Sequence, residues 1–203
     1  MMASIQRSNR QLDNSTRRLR FVKLDRESLK LLIFTDSSFA NNRDLSSQIG
    51  YILILTNSKD DANIVHWSSI KCKRIVRSVL ASELYTMTNG FDIGTSIKTT
   101  INKALQINLP QVLYTDSKSL YNCLVKLGTT QEKRLMIDIL CLRQLYKRTL
   151  ISEVKWISTD GNPADALTNN KASTALSRLV DTNTVQLQTV GWVKRASPTM
   201  SKN

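Results

Sequence analysis

The chain contains few of the residues that stabilise small domains through disulfide bonds or bound zinc. It has three cysteines and one histidine among 203 residues. Cys72, Cys123 and Cys141 are odd in number and widely spaced. This spacing excludes a disulfide framework and a zinc-binding pattern, and it favours a reducing compartment.

The sequence also lacks a long hydrophobic run. The longest uninterrupted aliphatic and aromatic stretch is residues 51–55, whereas a bilayer-spanning helix needs about 20. The basic residues near the N-terminus are not followed by the apolar region of a secretory signal. We therefore expect an intracellular protein, cytoplasmic or nuclear, with no membrane partner.

Acidic residues are fewer than basic residues in this chain. Lys and Arg number 29 and Asp and Glu number 16, which gives a formal net charge of +13. An excess of positive charge favours a polyanionic partner through steering, without identifying the fold. Hydrophobic residues make up 41% of the chain, a fraction that excludes disorder over most of its length.

The length and the distribution of charge predict one domain with short extensions. We assign residues 1–24 to a basic, flexible N-terminal arm, residues 25–195 to the domain and residues 196–203 to a disordered tail. Arg17, Arg18 and Arg20 in the arm are candidates to touch nucleic acid, and a solvated leader is the alternative.

Hydrophobic periodicity predicts the order β-β-β-α-β-α-α-β-α. The expected strands are 29–34, 50–56, 62–68, 111–115 and 154–157, and the expected helices are 78–88, 119–127, 131–150 and a last one opening at Asn162-Pro163. Three hairpin strands followed by alternating strands and helices predict an α/β protein. We expect a mixed five-stranded sheet flanked by helices.

Four acidic residues fall at the ends or first turns of these elements. Asp36 ends the first predicted strand and Asp116 follows the fourth, so parallel pairing of these strands would bring both to one sheet edge. Glu83 lies one turn into the first helix, and Asp165 lies in the first turn of the last. For any one of them alone, a helix cap, turn or surface role is the commoner explanation.

Converging carboxylates have a chemical use. They repel one another when empty, and hard divalent ions prefer carboxylate and water oxygens. Two such ions about 3.5–4 Å apart stabilise both the attacking water and the leaving oxygen of a phosphodiester. The order of the four acids therefore predicts a two-metal site.

Several segments carry a family resemblance when taken together. FTDSSFA, SSQIGYILIL, HWSSIKCKRIVRSVLASELY, YTDSKSLYNCLVKLGTTQEKRLMIDI and VKWISTDGNPADALT resemble the ribonuclease H domain of copia-type retrotransposon polyproteins, most closely those of fungal genomes. The resemblance implies an RNase H-like fold and an endonuclease that hydrolyses the RNA strand of RNA–DNA hybrids. It places the catalytic and metal-binding roles on Asp36, Glu83, Asp116 and Asp165, with two Mg²⁺ or Mn²⁺ ions.

The chain departs from the family pattern in three ways. Many cellular enzymes of this kind have a histidine in the loop before the last aspartate, whereas this loop reads STDGN. Asp160 is a candidate auxiliary residue there, although a turn role in Asp-Gly is the commoner explanation. His66 lies in the third strand, where a packed or surface role is favoured over catalysis. The stretch 167–171 reads LTNNK rather than Leu-Thr-Lys. The polymerase that usually precedes the domain is absent, so a reverse transcriptase supplied in trans is a candidate partner.

Polar and basic residues near the acids are candidates for backbone contacts with a hybrid. These candidates are Ser37, Ser38, Ser117, Lys118 and Ser119, beside the acids, and Lys71, Lys73, Arg74 and Arg77, before the helix that carries Glu83. Turn and cap roles for the serines and a solvated basic face are the alternatives.

Two other functions stay open at this point. One is a degenerate or domesticated module of the same fold that binds nucleic acid or a protein without cleavage. The other is a nuclease acting on DNA. The order Asp-Glu-Asp-Asp, with Glu83 in the first helix, favours the ribonuclease.

Overall fold

A computed structural model describes residues 12, 15–125, 130, 132–169, 172–187 and 189–194. The predicted disordered tail, residues 196–203, and most of the predicted arm lie outside these residues.

The centre of the molecule is a mixed sheet. Its strands are β1 (Lys30–Ser38), β2 (Gln48–Thr56), β3 (Ala62–Lys71), β4 (Gln111–Thr115), β5 (Glu153–Ile157) and β6 (Thr189–Lys194). They lie in the order β3-β2-β1-β4-β5-β6. β1 pairs in parallel with β4, and β4 with β5, whereas the other pairs are antiparallel. The predicted meander and the parallel pairing of the first and fourth strands are therefore confirmed.

Within the described ranges the sheet has six strands rather than the predicted five. The additional strand, β6, is a six-residue edge strand that contains Gly191 and exposes Val190. Glycine weakens a strand pattern, and pairing with β5 rather than local propensity makes this segment extended. The closeness of Gly191 to its neighbours explains the glycine, because a Cβ there would lie 3.2 Å from the Trp156 ring.

Among the residues that the structure describes, four α-helices complete the layers. They are α1 (Val79–Leu105), α2 (Lys118–Val125), α3 (Met136–Lys147) and α4 (Thr174–Thr182), and short 3-10 helices span Arg26–Ser28, Lys133–Leu135, Thr159–Gly161 and Pro163–Leu167. Two predictions need correction, since α3 is shorter than residues 131–150 and Asn162-Pro163 opens a 3-10 helix rather than an α-helix. Within the described ranges, no helix combines the length and apolar character needed to cross a bilayer.

Helix α1 extends far beyond the predicted end at residue 88. Ser78 caps its first turn by accepting from the backbone N–H of Ala81. The pattern underestimated its length because Gly90 and Gly94 interrupt the helical signal. Both glycines face the sheet, where a Cβ on Gly94 would lie 2.2 Å from Ile33 Cδ1. Glycine here lets the helix approach β1 closely.

The core is divided by the sheet. Leu31 and Ile33 pack under the layer of α1, α2 and α3, whereas Leu32 and Phe34 pack on the opposite face, beneath α4 and the preceding 3-10 helix. Alternate residues of a strand point to opposite faces. Because both faces are covered, β1 has the near-continuous apolar sequence typical of a buried strand.

The described part of the predicted arm contacts the domain. Arg17 Nε donates to Asp181 Oδ1 at 2.9 Å. Val22 and Asn63 exchange two hydrogen bonds of 2.8 Å, and Asn183 Nδ2 donates to the carbonyl of Arg20 at 2.8 Å. Residues 17–22 therefore lie between the end of α4 and the start of β3. The flexibility of the arm stays a prediction.

Candidate metal centre

The carboxyl ends of β1 and β4 place two aspartates side by side. In the parallel register of β1 and β4, Thr35 pairs with Thr115. The residue that follows each threonine is an aspartate, Asp36 or Asp116. Asp116 directly follows β4, as predicted. Asp36 lies inside β1 rather than at its end, because the strand continues to Ser38 in its pairing with β2. Only 5% of the Asp36 surface is exposed.

Helix α1 adds a third carboxylate from above the sheet. Glu83 lies in the second turn of the helix and is 5% exposed. Asp36, Glu83 and Asp116 each contribute one carboxylate oxygen, and these three oxygens lie within 4.8 Å of one another. The structure therefore brings three of the four predicted acids into one cluster, which we call the carboxylate cluster.

Asp165 stands beside this cluster rather than among its three converging oxygens. It lies in the 3-10 helix Pro163–Leu167, which Asn162 caps by accepting from the backbone N–H of Ala164. The same Asn162 donates from Nδ2 to the carbonyl of Thr35 at 3.0 Å, which ties this segment to β1. Asp165 is close enough for its charge to raise the pKa values of Asp36 and Asp116.

Burial and mutual repulsion raise the pKa values of the acids in the carboxylate cluster. Burial, followed by the charges of Asp36 and Asp116, raises the pKa of Glu83 to about 8. Burial is also the main cause that raises the pKa of Asp36 to about 6, with Asp116 and Asp165 adding to it and a hydrogen bond from Thr168 opposing it. The pKa of Asp116 is raised for the same principal reason. A bound cation would reverse these shifts, because an opposite charge favours the ionised form.

The donor set fits a hard divalent cation. Ser37 Oγ donates to Glu83 Oε1 at 2.9 Å, whereas Glu83 Oε2 is buried with no hydrogen-bond partner among the described residues. A buried carboxylate oxygen without a partner is energetically costly. Carboxylate oxygens without nitrogen or sulfur ligands suit Mg²⁺ or Mn²⁺ better than zinc.

Several side chains that hold the acids were not predicted to do so. Thr168 Oγ1 donates to Asp36 Oδ2, and Asn169 Nδ2 donates to Asp165 Oδ1 at 2.5 Å. Trp156 Nε1 donates to the carbonyl of Asp116 at 3.1 Å. For Asn169 the available signal was its position four residues after Asp165, and the sequence contained no comparable signal for the contact of Thr168 with Asp36.

The serines beside the acids are in contact mainly with the protein itself. Ser37 binds Glu83 as described, and Ser38 is 8% exposed. Ser117 Oγ lies 3.1 Å from Ser119 Oγ and accepts from the backbone N–H of Leu120 at 3.4 Å. The contacts of Ser117 match the cap and turn roles, and Ser119 is exposed. Ser37 and Ser38 instead lie within β1, and Ser38 Oγ is buried with no hydrogen-bond partner among the described residues.

The basic residues that were predicted to bind nucleic acid differ in their contacts within the protein. Lys71 is paired with Asp44, the Arg74 guanidinium lies 5.1 Å from the Tyr85 ring centroid, and Lys118 Nζ lies 5.3 Å from the Trp156 ring. Exposed candidates also include Lys73 and Arg77. Lys71, Lys73 and Arg74 line one cavity of about 380 Å³ between β3 and α1. A binding role for these residues stays a prediction.

The remaining sequence candidates are not members of the carboxylate cluster. His66 is in β3, where its ring stacks on Tyr51 with centroids 5.9 Å apart. Asp160 is exposed in the 3-10 helix Thr159–Gly161. Asn170 and Lys171, which carry the departure from the family pattern, lie outside the described residues.

The strand order, the flanking helices and the position of the acids define an RNase H-like fold. Solved structures with this fold include RNase H1 of the halophilic archaeon Halobacterium salinarum NRC-1, with 16% identity, a TM-score of 0.51 and coverage of 73% of this chain and 98% of that one. Another is LC11-RNase H1, isolated from compost by a metagenomic approach, with 17% identity, a TM-score of 0.51 and coverage of 72% and 98%.

LC11-RNase H1 has also been solved in complex with an RNA/DNA hybrid, and that structure matches with 17% identity and a TM-score of 0.51 over 72% of this chain and 99% of that one. No protein-family model matches the sequence, and no curated protein matches it. Structural similarity at this level of identity establishes the fold, and the function rests on the site.

Proposed function

We propose that the protein is a divalent-metal-dependent endonuclease that hydrolyses the RNA strand of RNA–DNA hybrids, the ribonuclease H of a copia-type retrotransposon. The observation that supports this most strongly is the convergence of Asp36, Glu83 and Asp116, with Asp165 beside them. Three separate elements each contribute a buried or half-buried acid to one point. Such a cluster is destabilising unless a cation compensates it.

The proposed chemistry is a direct displacement at phosphorus. Two Mg²⁺ or Mn²⁺ ions, when bound, polarise the attacking water and stabilise charge on the departing 3′ oxygen. Asp36, Glu83 and Asp116 would hold them, with Asp165 completing the set. Water forms the new P–O bond as the bond to the 3′ oxygen breaks, so no side chain becomes covalently attached.

The rest of the protein has simpler tasks. Ser37 orients Glu83 by donating to Oε1, and Trp156 holds the backbone of Asp116. The sheet and α1 exclude water from the inner side of the carboxylate cluster, which strengthens electrostatic interactions there.

The substrate follows from charge and shape. A net charge of +13 favours a nucleic acid, and a ribonuclease for hybrids must detect the 2′-hydroxyls of one strand. The small side chains of Ser117 and Ser119, at the start of α2, are suited to such backbone contacts. A structural neighbour binds an RNA/DNA hybrid, and a reverse transcriptase in trans is the proposed source of hybrid for this chain.

One experiment tests the reaction and its substrate together. Labelled RNA–DNA hybrid, double-stranded RNA and double-stranded DNA are each incubated with the protein in Mg²⁺ and in EDTA. We expect cleavage of the hybrid alone, abolished by EDTA and reduced at least a hundredfold by Asp116→Asn. Asp60→Asn, in the turn at the other end of β2, is the matched control and should cleave normally.

The same labelled substrates identify the alternatives when binding is measured together with cleavage. Salt-sensitive binding of hybrid without cleavage would support a binding module. Cleavage of double-stranded DNA would instead support a DNA nuclease, and either result contradicts the proposal.

A further inference from the structure

Two adjacent residues after the last 3-10 helix each hold a different acid. Thr168 Oγ1 donates to Asp36 Oδ2, and Asn169 Nδ2 donates to Asp165 Oδ1 at 2.5 Å. The first contact joins residues 132 positions apart in sequence. Thr168 is 9% exposed, so water competes little for the bond to Asp36.

The backbone around these residues is fixed independently of the side chains. The N–H groups of Thr168 and Asn169 both donate to the carbonyl of Asp165, at 3.2 and 3.0 Å. Ser69 Oγ on β3 donates to the carbonyl of Leu167 at 2.5 Å. The two side chains are therefore presented to the carboxylate cluster from a held segment.

Gly50 provides the space for this segment. In the register of β1 with β2 it lies directly opposite Asp36. A Cβ on Gly50 would lie 2.8 Å from Leu167 Cβ and 2.9 Å from Thr168 Cγ2, closer than two such carbons approach. The absence of a side chain at this position lets Thr168 reach Asp36.

A hydrogen bond of this kind has a specific effect on a carboxylate. Asp36 and Asp165 repel each other and Asp116, so without restraint their carboxylates would rotate apart. Once Oδ2 of Asp36 accepts from Thr168, the rotation of the carboxylate is limited and Oδ1 is left for another ligand. Groups that orient metal ligands in this way commonly change metal affinity 10–100-fold.

The alternative role for Thr168 is purely structural. Its hydroxyl also lies 3.2 Å from the carbonyl of Asp165, and a hydroxyl has only one proton to donate. If capping that carbonyl were its main role, loss of the hydroxyl would change stability and leave cation affinity alone. The bond to the charged carboxylate is the stronger of the two kinds.

We propose that Thr168 and Asn169 are positioning residues that orient Asp36 and Asp165 for a divalent cation, with Gly50 allowing their approach. This inference rests on the proposed function, since it assumes that the carboxylate cluster binds a metal.

Calorimetric titration of the full chain with Mn²⁺ tests the inference without using catalysis. Thr168→Val removes the hydroxyl at nearly constant volume, Thr168→Ser keeps a hydroxyl, and Asn169→Ala removes the second donor. Thr56→Val is the matched control, because Thr56 is also buried and its hydroxyl also bonds a backbone carbonyl, at the far end of β2. Thermal unfolding in EDTA is measured for each variant.

We expect Thr168→Val to bind Mn²⁺ about tenfold more weakly and Asn169→Ala several-fold more weakly. Thr168→Ser should stay within about threefold of the parent protein, and Thr56→Val should be unchanged. The Mg²⁺ concentration for half-maximal hybrid cleavage should rise in the same order.

Unchanged Mn²⁺ affinity in Thr168→Val and Asn169→Ala overturns the inference, as does a parent protein that binds no Mn²⁺. If Thr168→Val does not fold, Asn169→Ala decides the question alone. Normal Mn²⁺ binding by the parent protein without hybrid cleavage overturns the proposed function instead and leaves the positioning roles in place.

Discussion

Glu83 shows most clearly that the carboxylate cluster lowers the stability of the metal-free protein while providing ligands for a cation. It is buried, it lies beside two other acids, and one of its oxygens has no hydrogen-bond partner among the described side chains and backbone. A buried carboxylate in such a position lowers the stability of the fold unless it is paired. Its presence is explained if the site is used with a cation.

The raised pKa of Glu83 predicts how the stability of the metal-free protein depends on pH. The folded chain releases this proton near pH 8, whereas its ordinary pKa is 4.5. Between these values the folded state binds more protons than the unfolded state, so the free energy of unfolding falls as pH rises. Asp36, with a pKa of about 6, adds to the fall in the lower part of the range.

In EDTA we therefore expect the unfolding midpoint to be at least about 4 °C lower at pH 8.5 than at pH 5.5, a shift equivalent to roughly 1–2 kcal/mol in a chain of this size. Saturating Mg²⁺ should reduce the difference, because bound cations stabilise the ionised form. Differential scanning fluorimetry over this pH range measures both effects. A midpoint that rises with pH in EDTA would contradict the assignment.

Replacement of Glu83 by its amide separates stability from activity. Glu83→Gln removes one charge, and its amide N–H groups can donate to the neighbouring aspartates. We expect the unfolding midpoint in EDTA at pH 8.5 to rise by about 3 °C or more, which corresponds to roughly 1 kcal/mol, while hybrid cleavage is lost. Glu27→Gln, at an exposed position, should change neither quantity, and a destabilised Glu83→Gln would argue against repulsion.

The acids themselves could be predicted from the sequence, and their supports could not. Asp36, Glu83 and Asp116 each stand at a recognisable place in a strand or helix pattern, so topology brings them together. Thr168 is an ordinary polar residue whose partner is determined by tertiary packing, whereas Asn169 contacts Asp165 only four residues earlier. A single sequence contains no local signal for a bond across 132 positions.

At the scale of elements, the 3-10 helix Pro163–Leu167 connects the sheet to the site. Asn162 ties its start to β1, and Ser69 ties its end to β3. A segment of five residues has little stability of its own. Its position therefore depends on how closely it can pack against β2 at Gly50.

This dependence predicts a large effect from a single methyl group. Gly50→Ala would force the helix away from β2, and overpacking of a well-packed site commonly costs 1–3 kcal/mol. We expect an unfolding midpoint lower by roughly 3–8 °C and weaker Mn²⁺ binding, measured by fluorimetry and calorimetry.

Gly161→Ala is the matched control, since the nearest atom to its Cβ would be Ser158 Oγ at 3.3 Å. It should leave the unfolding midpoint within about 2 °C. Equal behaviour of the two variants would contradict the packing argument.

Elements with strong periodicity were predicted well, and those made by context were not. β2 and β4 are apolar runs between polar turns, and both were located correctly. The second half of α1 was missed because Gly90 and Gly94 lower helix propensity, although both are needed for packing on β1. β6 was missed because its extended form comes from pairing with β5.

The basic residues of the protein differ in whether they are free to bind a phosphate or are already paired with an acid. Lys71 is paired with Asp44, and Arg17 is paired with Asp181. Arg77 is exposed in the loop before α1, with no ion pair found in the part of the chain that the structure describes. Net charge alone therefore overstates the number of cations ready to meet phosphates.

Binding measurements at several salt concentrations can detect this difference. Arg77→Ala should weaken hybrid binding and reduce the slope of log affinity against log salt by about 1, the value for one lost phosphate contact. Lys71→Ala should have a smaller effect, because Lys71 would have to leave Asp44 to bind. Fluorescence anisotropy with a catalytically inactive Asp116→Asn background measures both, and identical slopes would contradict a role for Arg77.

The long sequence separation between Thr168 and Asp36 also has a consequence during synthesis of the protein on the ribosome. Chains are synthesised at about 5–20 residues per second, so the ribosome makes Thr168 on the order of ten seconds after Asp36. Throughout that interval the growing chain carries Asp36 without its hydrogen-bond donor, and for most of it also without Asp116. Under the proposed function, translation that stops early therefore yields a fragment without nuclease activity.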